Sequence, residues 1–238
     1  MSTPLLALKG VTKRFGGLTA VDNVTFDVNS GDTIGLMGPN GAGKSTLINA
    51  IAGEFKPENG RILFKGENIV GMKPHHICRR GIGRSYQIPR PFAHLTVLEN
   101  VMVAASFGRG LSKAEARTEA MKILEITGLD DKQNVYARDL LELTLKRLEM
   151  ARSLASSPDL VFLDEVAAGL TEEELPVILG LLKDINQMGI TILLVEHIMR
   201  IMAEAVDRIV VMENGVKIAE GLPDEIMNNQ KVIKAYFG

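Results

Sequence analysis

Gly38-Pro-Asn-Gly-Ala-Gly-Lys-Ser-Thr46 fills the pattern G-x-x-x-x-G-K-[S/T] at Gly38, Gly43, Lys44 and Ser45. The flanks fit it as well. The apolar run Thr33-Ile-Gly-Leu-Met37 reads as a strand entering the loop, and Leu47-Ile-Asn-Ala-Ile-Ala52 reads as the first turns of a helix leaving it. Glycines allow the tight backbone path on which successive N–H groups point at phosphate oxygens, and the helix N-terminus adds partial positive charge. The whole stretch, Gly38, Pro39, Asn40, Gly41, Ala42, Gly43, Lys44, Ser45 and Thr46, is therefore expected to cradle a nucleotide. Lys44 would reach the β- and γ-phosphates and Ser45 would hold Mg2+. The competing reading is a glycine-rich surface turn, which the strand and helix on either side disfavour.

Outward from this loop, 238 residues accommodate one large domain or a domain with an inserted lobe. Short apolar strands flank the loop at Leu5–Leu8, Val24–Val28 and Arg61–Phe64, the last introduced by Asn59-Gly60 as a turn signal. Residues 88–156 change character. Helices are expected over Thr96–Ala105 and Lys113–Thr127. Ser112 and Glu115 form a capping box before the second, whose face is Ala116, Ala120, Ile123, Leu124 and Thr127. From 160 the pattern alternates: strand Leu160–Leu163, helix 171–187, strand Thr191–Val195, helix near Met199, strand Arg208–Met212 and a turn at Asn214-Gly215. Pro176 fits the 171–187 helix only if it marks the true first turn. The fold expected is α/β: a RecA-like P-loop NTPase core over about residues 1–87 and 153–238, with an N-terminal antiparallel β portion and an inserted α-helical subdomain over about 88–152.

A second acidic element follows Leu160-Val-Phe-Leu163, which ends in Asp164-Glu165. Alone, such a pair is also what a solvated strand end looks like. Beside a phosphate loop it reads as a Walker B pair, with Asp164 holding Mg2+ through water and Glu165 polarising the attacking water. His197 follows strand Thr191–Val195, at the kind of strand end where α/β sites collect ligand groups, and can sense a γ-phosphate. Gln87, in Ser85-Tyr-Gln, is a candidate Mg2+ or water contact, against the plainer reading of a loop glutamine. Phe15 can stack on adenine or serve as an edge-strand aromatic.

Bulk properties exclude other classes. Net charge is −2, so no global basic footprint points to nucleic acid. The single cysteine, Cys78, excludes an internal disulfide and suggests a reducing compartment. His75 and His76 are adjacent rather than at a metal-binding helical spacing, and His94 has no comparable context, so no zinc site is expected. The first nine residues lack the basic region and apolar length of a signal peptide. No apolar run is long enough to span a bilayer.

Together these residues resemble the ATP-binding subunits of ABC transporters. Phe15 matches the aromatic A-loop, 38–46 Walker A, Gln87 the Q-loop, 160–165 Walker B and His197 the switch histidine. The resemblance looks closest to the branched-chain amino-acid importers, through Arg14–Leu18, Arg147–Arg152, Ala167–Leu170 and Val232–Phe237. Urea importers and lipid or lipopolysaccharide exporters have similar ATPases. The resemblance implies ATP and Mg2+ as cofactors, transmembrane permease partners and a second ABC ATPase subunit, the same chain or a different one. It also implies a peripheral position on the cytoplasmic face of the inner membrane, with no nucleic acid.

One stretch departs from that family. A glycine-bearing signature, Leu-Ser-Gly-Gly-Gln or a relative, belongs just before Arg147, yet the chain has no glycine between Gly128 and Gly169. Against the family pattern it reads as about three residues short between Leu145 and Lys146, a change that would rotate the following helix by most of a turn. A degenerate subunit, an altered chain and an incomplete sequence all fit that reading. A hydrolysis-poor regulatory ATP-binding module is the alternative it raises. Thr171 departs from the Asp or Asn of the family's D-loop and is expected to cap the next helix with Glu174.

Overall fold

A computed structural model describes residues 3–237. In chain order, β1 (Leu6–Phe15), β2 (Leu18–Val28) and β3 (Thr33–Met37) lead to α1 (Lys44–Ile51). Next come β4 (Asn59–Phe64), β5 (Glu67–Asn68), α2 (Pro74–Arg79) and β6 (Ile82–Arg84). Three helices follow: α3 (Val97–Arg109), α4 (Lys113–Ile126) and α5 (Glu142–Leu154). Then β7 (Leu160–Asp164), α6 (Leu175–Gln187), β8 (Thr191–Val195), α7 (Met199–Ala205) and β9 (Arg208–Glu213) alternate. Last are β10 (Val216–Gly221), α8 (Pro223–Met227) and α9 (Gln230–Phe237). Two compact units form: Met1–Ile77 with Thr191–Gly238, and Cys78–Ile190.

The first unit holds the antiparallel N-terminal sheet, in the order β2-β1-β4-β5. It also holds parallel core strands, β3 pairing with β8 on one side and β9 on the other. Every residue of β3 and β8 is buried, which is why both read as unbroken apolar runs rather than alternating ones. β10 returns antiparallel to β9 through Asn214 and Gly215, both at positive φ, as a tight hairpin turn requires. Asn59-Gly60 behaves differently from the turn expected of it. Both residues lie inside β4, and the β1–β4 register shifts between Lys9 and Thr12. Gly60, at φ 91°, passes so close to the Gly10 backbone that a Cβ would collide with it. The dipeptide marks a bulge, the other use of a strand glycine.

In the second unit β6 and β7 pair in parallel. Thr96 and Ser112 each accept from the backbone N–H three residues on, while Glu99 and Glu115 accept from the cap residues in return. Each such cap is worth about 1 kcal/mol. Both carboxyls are held below their ordinary range, chiefly by bonds from the cap's backbone for Glu99 and from its hydroxyl for Glu115. The expected face of α4 is buried, Thr127 included. α6 begins at Leu175, so Pro176 does sit in its first turn, where a missing N–H costs nothing. The Thr171 hydroxyl donates to the Glu174 carboxylate at 3.1 Å and caps no helix directly, because the cap position falls on Glu174. Among the described residues, no helix is long and apolar enough to cross a membrane.

Candidate functional site

The phosphate loop lies in the first unit. Gly38, Gly41 and Gly43 all take positive φ, at 148°, 81° and 97°. Gly43 is the cap residue of α1, and a Cβ there would strike the carbonyl oxygen of Ala20; a Cβ on Gly38 would strike that of Met212. These two glycines are therefore demanded twice, by backbone conformation and by space. The Ala42 N–H donates to Pro39 O at 3.1 Å, closing the turn, and Gly215 N–H donates to Ala42 O at 3.0 Å. Lys44 is only 6% exposed, and its ammonium folds back over the loop to donate to Gly38 O at 2.6 Å and Pro39 O at 3.1 Å. Asn40 and Ser45 are exposed, and Thr46 is half-buried. The loop thus keeps a buried cation beside backbone N–H groups at the start of a helix, a surface suited to a polyphosphate.

Phe15 is 47% exposed and meets Phe55 edge to face, ring centroids 5.3 Å apart, with the Lys13 ammonium 5.0 Å from the Phe15 centroid. It is not the buried aromatic of the alternative reading; its ring is braced and accessible, as stacking on a base needs. Lys13 is itself fixed by Glu58 at 2.6 Å, and that bond is the main cause of the lowered Glu58 pKa. His197 is exposed after β8, and its N–H donates to the Glu196 carboxylate at 3.2 Å. Glu196, 1% exposed, is an acid that the sequence reading passed over, because a single Glu at a strand end carries no spacing signal.

The acidic pair lies in the second unit. β7 delivers a buried Asp164, whose N–H donates to the Ser85 hydroxyl at 3.2 Å. Glu165 follows at φ 48°, a left-handed conformation uncommon for a non-glycine residue and frequent at functional sites. Its Oε2 accepts from Gln87 Nε2 at 2.6 Å. Gln87 and Glu165, 78 residues apart in the chain, are thus one hydrogen-bonded pair. Lys146, 5% exposed, ties the same two turns from below, its ammonium donating to Gln87 O at 3.2 Å and Glu165 O at 3.0 Å. Nothing in local pattern flagged Lys146; a lysine between Leu145 and Arg147 reads as ordinary helix surface.

The helix that carries Lys146 is the one expected to carry the signature. α5 runs unbroken from Glu142, with Leu141 as its cap residue and Leu145 N–H donating to Leu141 O at 2.9 Å. The Leu145–Lys146 junction lies inside a formed helix, and Leu140–Thr144 occupies its N-terminal end. The position where the signature is expected therefore holds a formed helix end without glycine. The Glu142 carboxylate sits in the first turn, over Gly169, where a Cβ would collide with it. Leu141 is 81% exposed.

Comparisons with known proteins agree with this geometry. A family model described as "ABC transporter" matches residues 21–168, and one described as "Branched-chain amino acid ATP-binding cassette transporter" matches 216–238. The high-affinity branched-chain amino acid transport ATP-binding protein LivG of Salmonella typhimurium is 39% identical over 253 residues, covering 100% of this chain and 99% of LivG. A crystal structure of the ADP conformation of MJ1267, an ATP-binding cassette of an ABC transporter, superposes with a TM-score of 0.90 at 31% identity and full coverage of both chains. A dimeric post-hydrolysis structure of the cassette MJ0796 bound to ADP and Pi superposes at 0.82 with 27% identity, covering 92% of this chain and 98% of that one. The chain belongs to the ATP-binding proteins of ABC transporters. Within them it is of the branched-chain amino-acid type.

Proposed function

We propose that this chain is the ATP-hydrolysing subunit that energises uptake of branched-chain amino acids. In that role it would be bound peripherally, at the cytoplasmic face of the inner membrane, to transmembrane permease subunits, and paired with a second ABC ATPase. The observation that carries the reading is the phosphate loop, with Gly38 and Gly43 in conformations and spaces that admit only glycine and Lys44 buried over them.

The roles follow from the chemistry of each side chain. Backbone N–H groups where the loop enters α1, together with Lys44, bind the phosphates, and Phe15 stacks on the adenine. Glu165 polarises the attacking water, and its bond from Gln87 orients the carboxylate. His197 senses the γ-phosphate from the end of β8. Ser45, Gln87 and Asp164 offer hard oxygen donors, which suit Mg2+. No cluster of three or more His, Cys, Asp or Glu among the described residues could hold a metal alone, consistent with a cation that takes phosphate and water as most of its ligands. When bound, the ion would neutralise charge on the phosphates.

Glu142 and the missing glycines favour an asymmetric pair as the second reading. In the head-to-tail dimer expected of the family, the signature of one chain completes the ATP site of the other. This chain's own phosphate loop would then work against a partner whose signature has glycine. In the reconstituted transporter, Glu165→Gln should reduce ATP-driven leucine uptake by about 100-fold. If Glu165→Gln leaves turnover untouched while the equivalent change in a second ATPase subunit abolishes it, this chain's site is not the working one and the asymmetry is reversed.

A further inference from the structure

Tyr236 stands in α9, apart from every residue assigned a role above. Its hydroxyl accepts a hydrogen bond from the Gly38 N–H at 2.7 Å. Gly38 is buried and comes one residue after the β3–β9 ladder ends at Met37 and Val211, so the phenol supplies the partner that no strand offers. The carbonyl of the same residue accepts from the Lys44 ammonium at 2.6 Å. One glycine, the first of the phosphate loop, therefore has its amide held by Tyr236 and its carbonyl held by Lys44. A Cβ on that glycine would strike the Met212 carbonyl.

Val232, Ile233 and Tyr236 line a cavity of about 50 Å³ together with Met37. Apolar contact of that kind seats a helix but fixes no peptide orientation, whereas a hydrogen bond does. Burial pushes the Tyr236 phenol above its usual range, so the group is neutral throughout any ordinary assay, and replacing it with phenylalanine deletes a hydroxyl and not a charge.

We infer that Tyr236 is a positioning residue for nucleotide binding, holding the first peptide of the phosphate loop in register through Gly38 and so coupling the C-terminal helix to ATP affinity. The inference rests on the reading that 38–46 binds nucleotide. Without the hydroxyl, the Gly38 amide must find water or turn away, and the loop must be drawn back into register each time ligand binds. The test is Tyr236→Phe in the full chain, with Kd for Mg-ATP measured by calorimetric titration and melting temperature measured without ligand. Ile233→Ala serves as the packing control on the same helix.

Tyr236→Phe is expected to raise Kd by roughly three- to tenfold, the value of one hydrogen bond, and Ile233→Ala to lower the melting temperature while leaving Kd unchanged. A Tyr236→Phe protein that binds Mg-ATP as tightly as the wild type overturns the inference. So does an equal loss of affinity in both variants, since packing rather than the hydroxyl would then be responsible. A wild-type chain that binds no nucleotide would instead overturn the proposed function itself.

Discussion

Two helices of this chain begin in similar ways and are fitted for opposite uses. α1 opens from Gly43 in a left-handed cap, with no acidic residue in its first turn and a lysine whose ammonium covers the loop. α5 opens from an extended Leu141, with Glu142 in its first turn and no glycine nearby in sequence. Both ends carry the partial positive charge of a helix N-terminus. At α1 that charge is left for a ligand. At α5 a carboxylate of the chain already lies in the field, and a leucine and a glutamate side chain stand where a phosphate would need bare backbone. A helix N-terminus is therefore a phosphate site only when the chain withholds its own side chains from it.

The comparison can be broken at either end. Gly43→Ala places a Cβ against the Ala20 carbonyl and forces alanine to φ 97°. Strain and collision together should cost about 3 kcal/mol and weaken Mg-ATP binding about 100-fold, as a titration would show. Near-normal affinity would mean that the loop does not need its glycines. The converse change, Glu142→Gly with Leu143→Gly, strips the α5 end. In purified chain, where each molecule must complete the site of another copy, Mg-ATP turnover should rise about tenfold. No rise would place the defect elsewhere than at these side chains.

The mildest expected effect concerns length. Inserting Ala-Gly-Gln between Leu145 and Lys146 adds three residues inside a formed helix. The variant should lose about 1 kcal/mol of stability, visible as a melting temperature a few degrees lower, and gain no turnover. A gain in turnover would mean that the segment is too short, as the family pattern suggests.

That last point is also where the sequence was least legible. The bounds of β3 and β8 could be read to the residue, because a fully buried strand writes itself as an apolar run with turn residues at its ends. The Ser112–Glu115 cap was equally plain, since both partners lie within four residues. The start of α5 was not. The cap position falls on Leu141, which has no side-chain oxygen to accept a bond, and no glycine lies nearby in sequence, so only tertiary structure marks where the helix begins. Asn59-Gly60 misled for a related reason: the same dipeptide suits a hairpin turn or a bulge, and the choice depends on β1, some 50 residues earlier in the chain. In the candidate site, motif residues were found by pattern. Lys146 and Tyr236 make their contacts across the fold, Glu196 bonds the residue that follows it, and none of the three has a spacing that announces it.

Lys146 has a consequence for how damage in this chain must be interpreted. A single cation bonds the backbone of both the Gln87 turn and the Glu165 turn, and the two side chains bond each other. The turns are mechanically one body with two labels. In a thermodynamic cycle, perturbing one already spends most of what perturbing the other would cost. The tip of α5 presents no glycine, yet its second turn fastens the turn that carries Glu165.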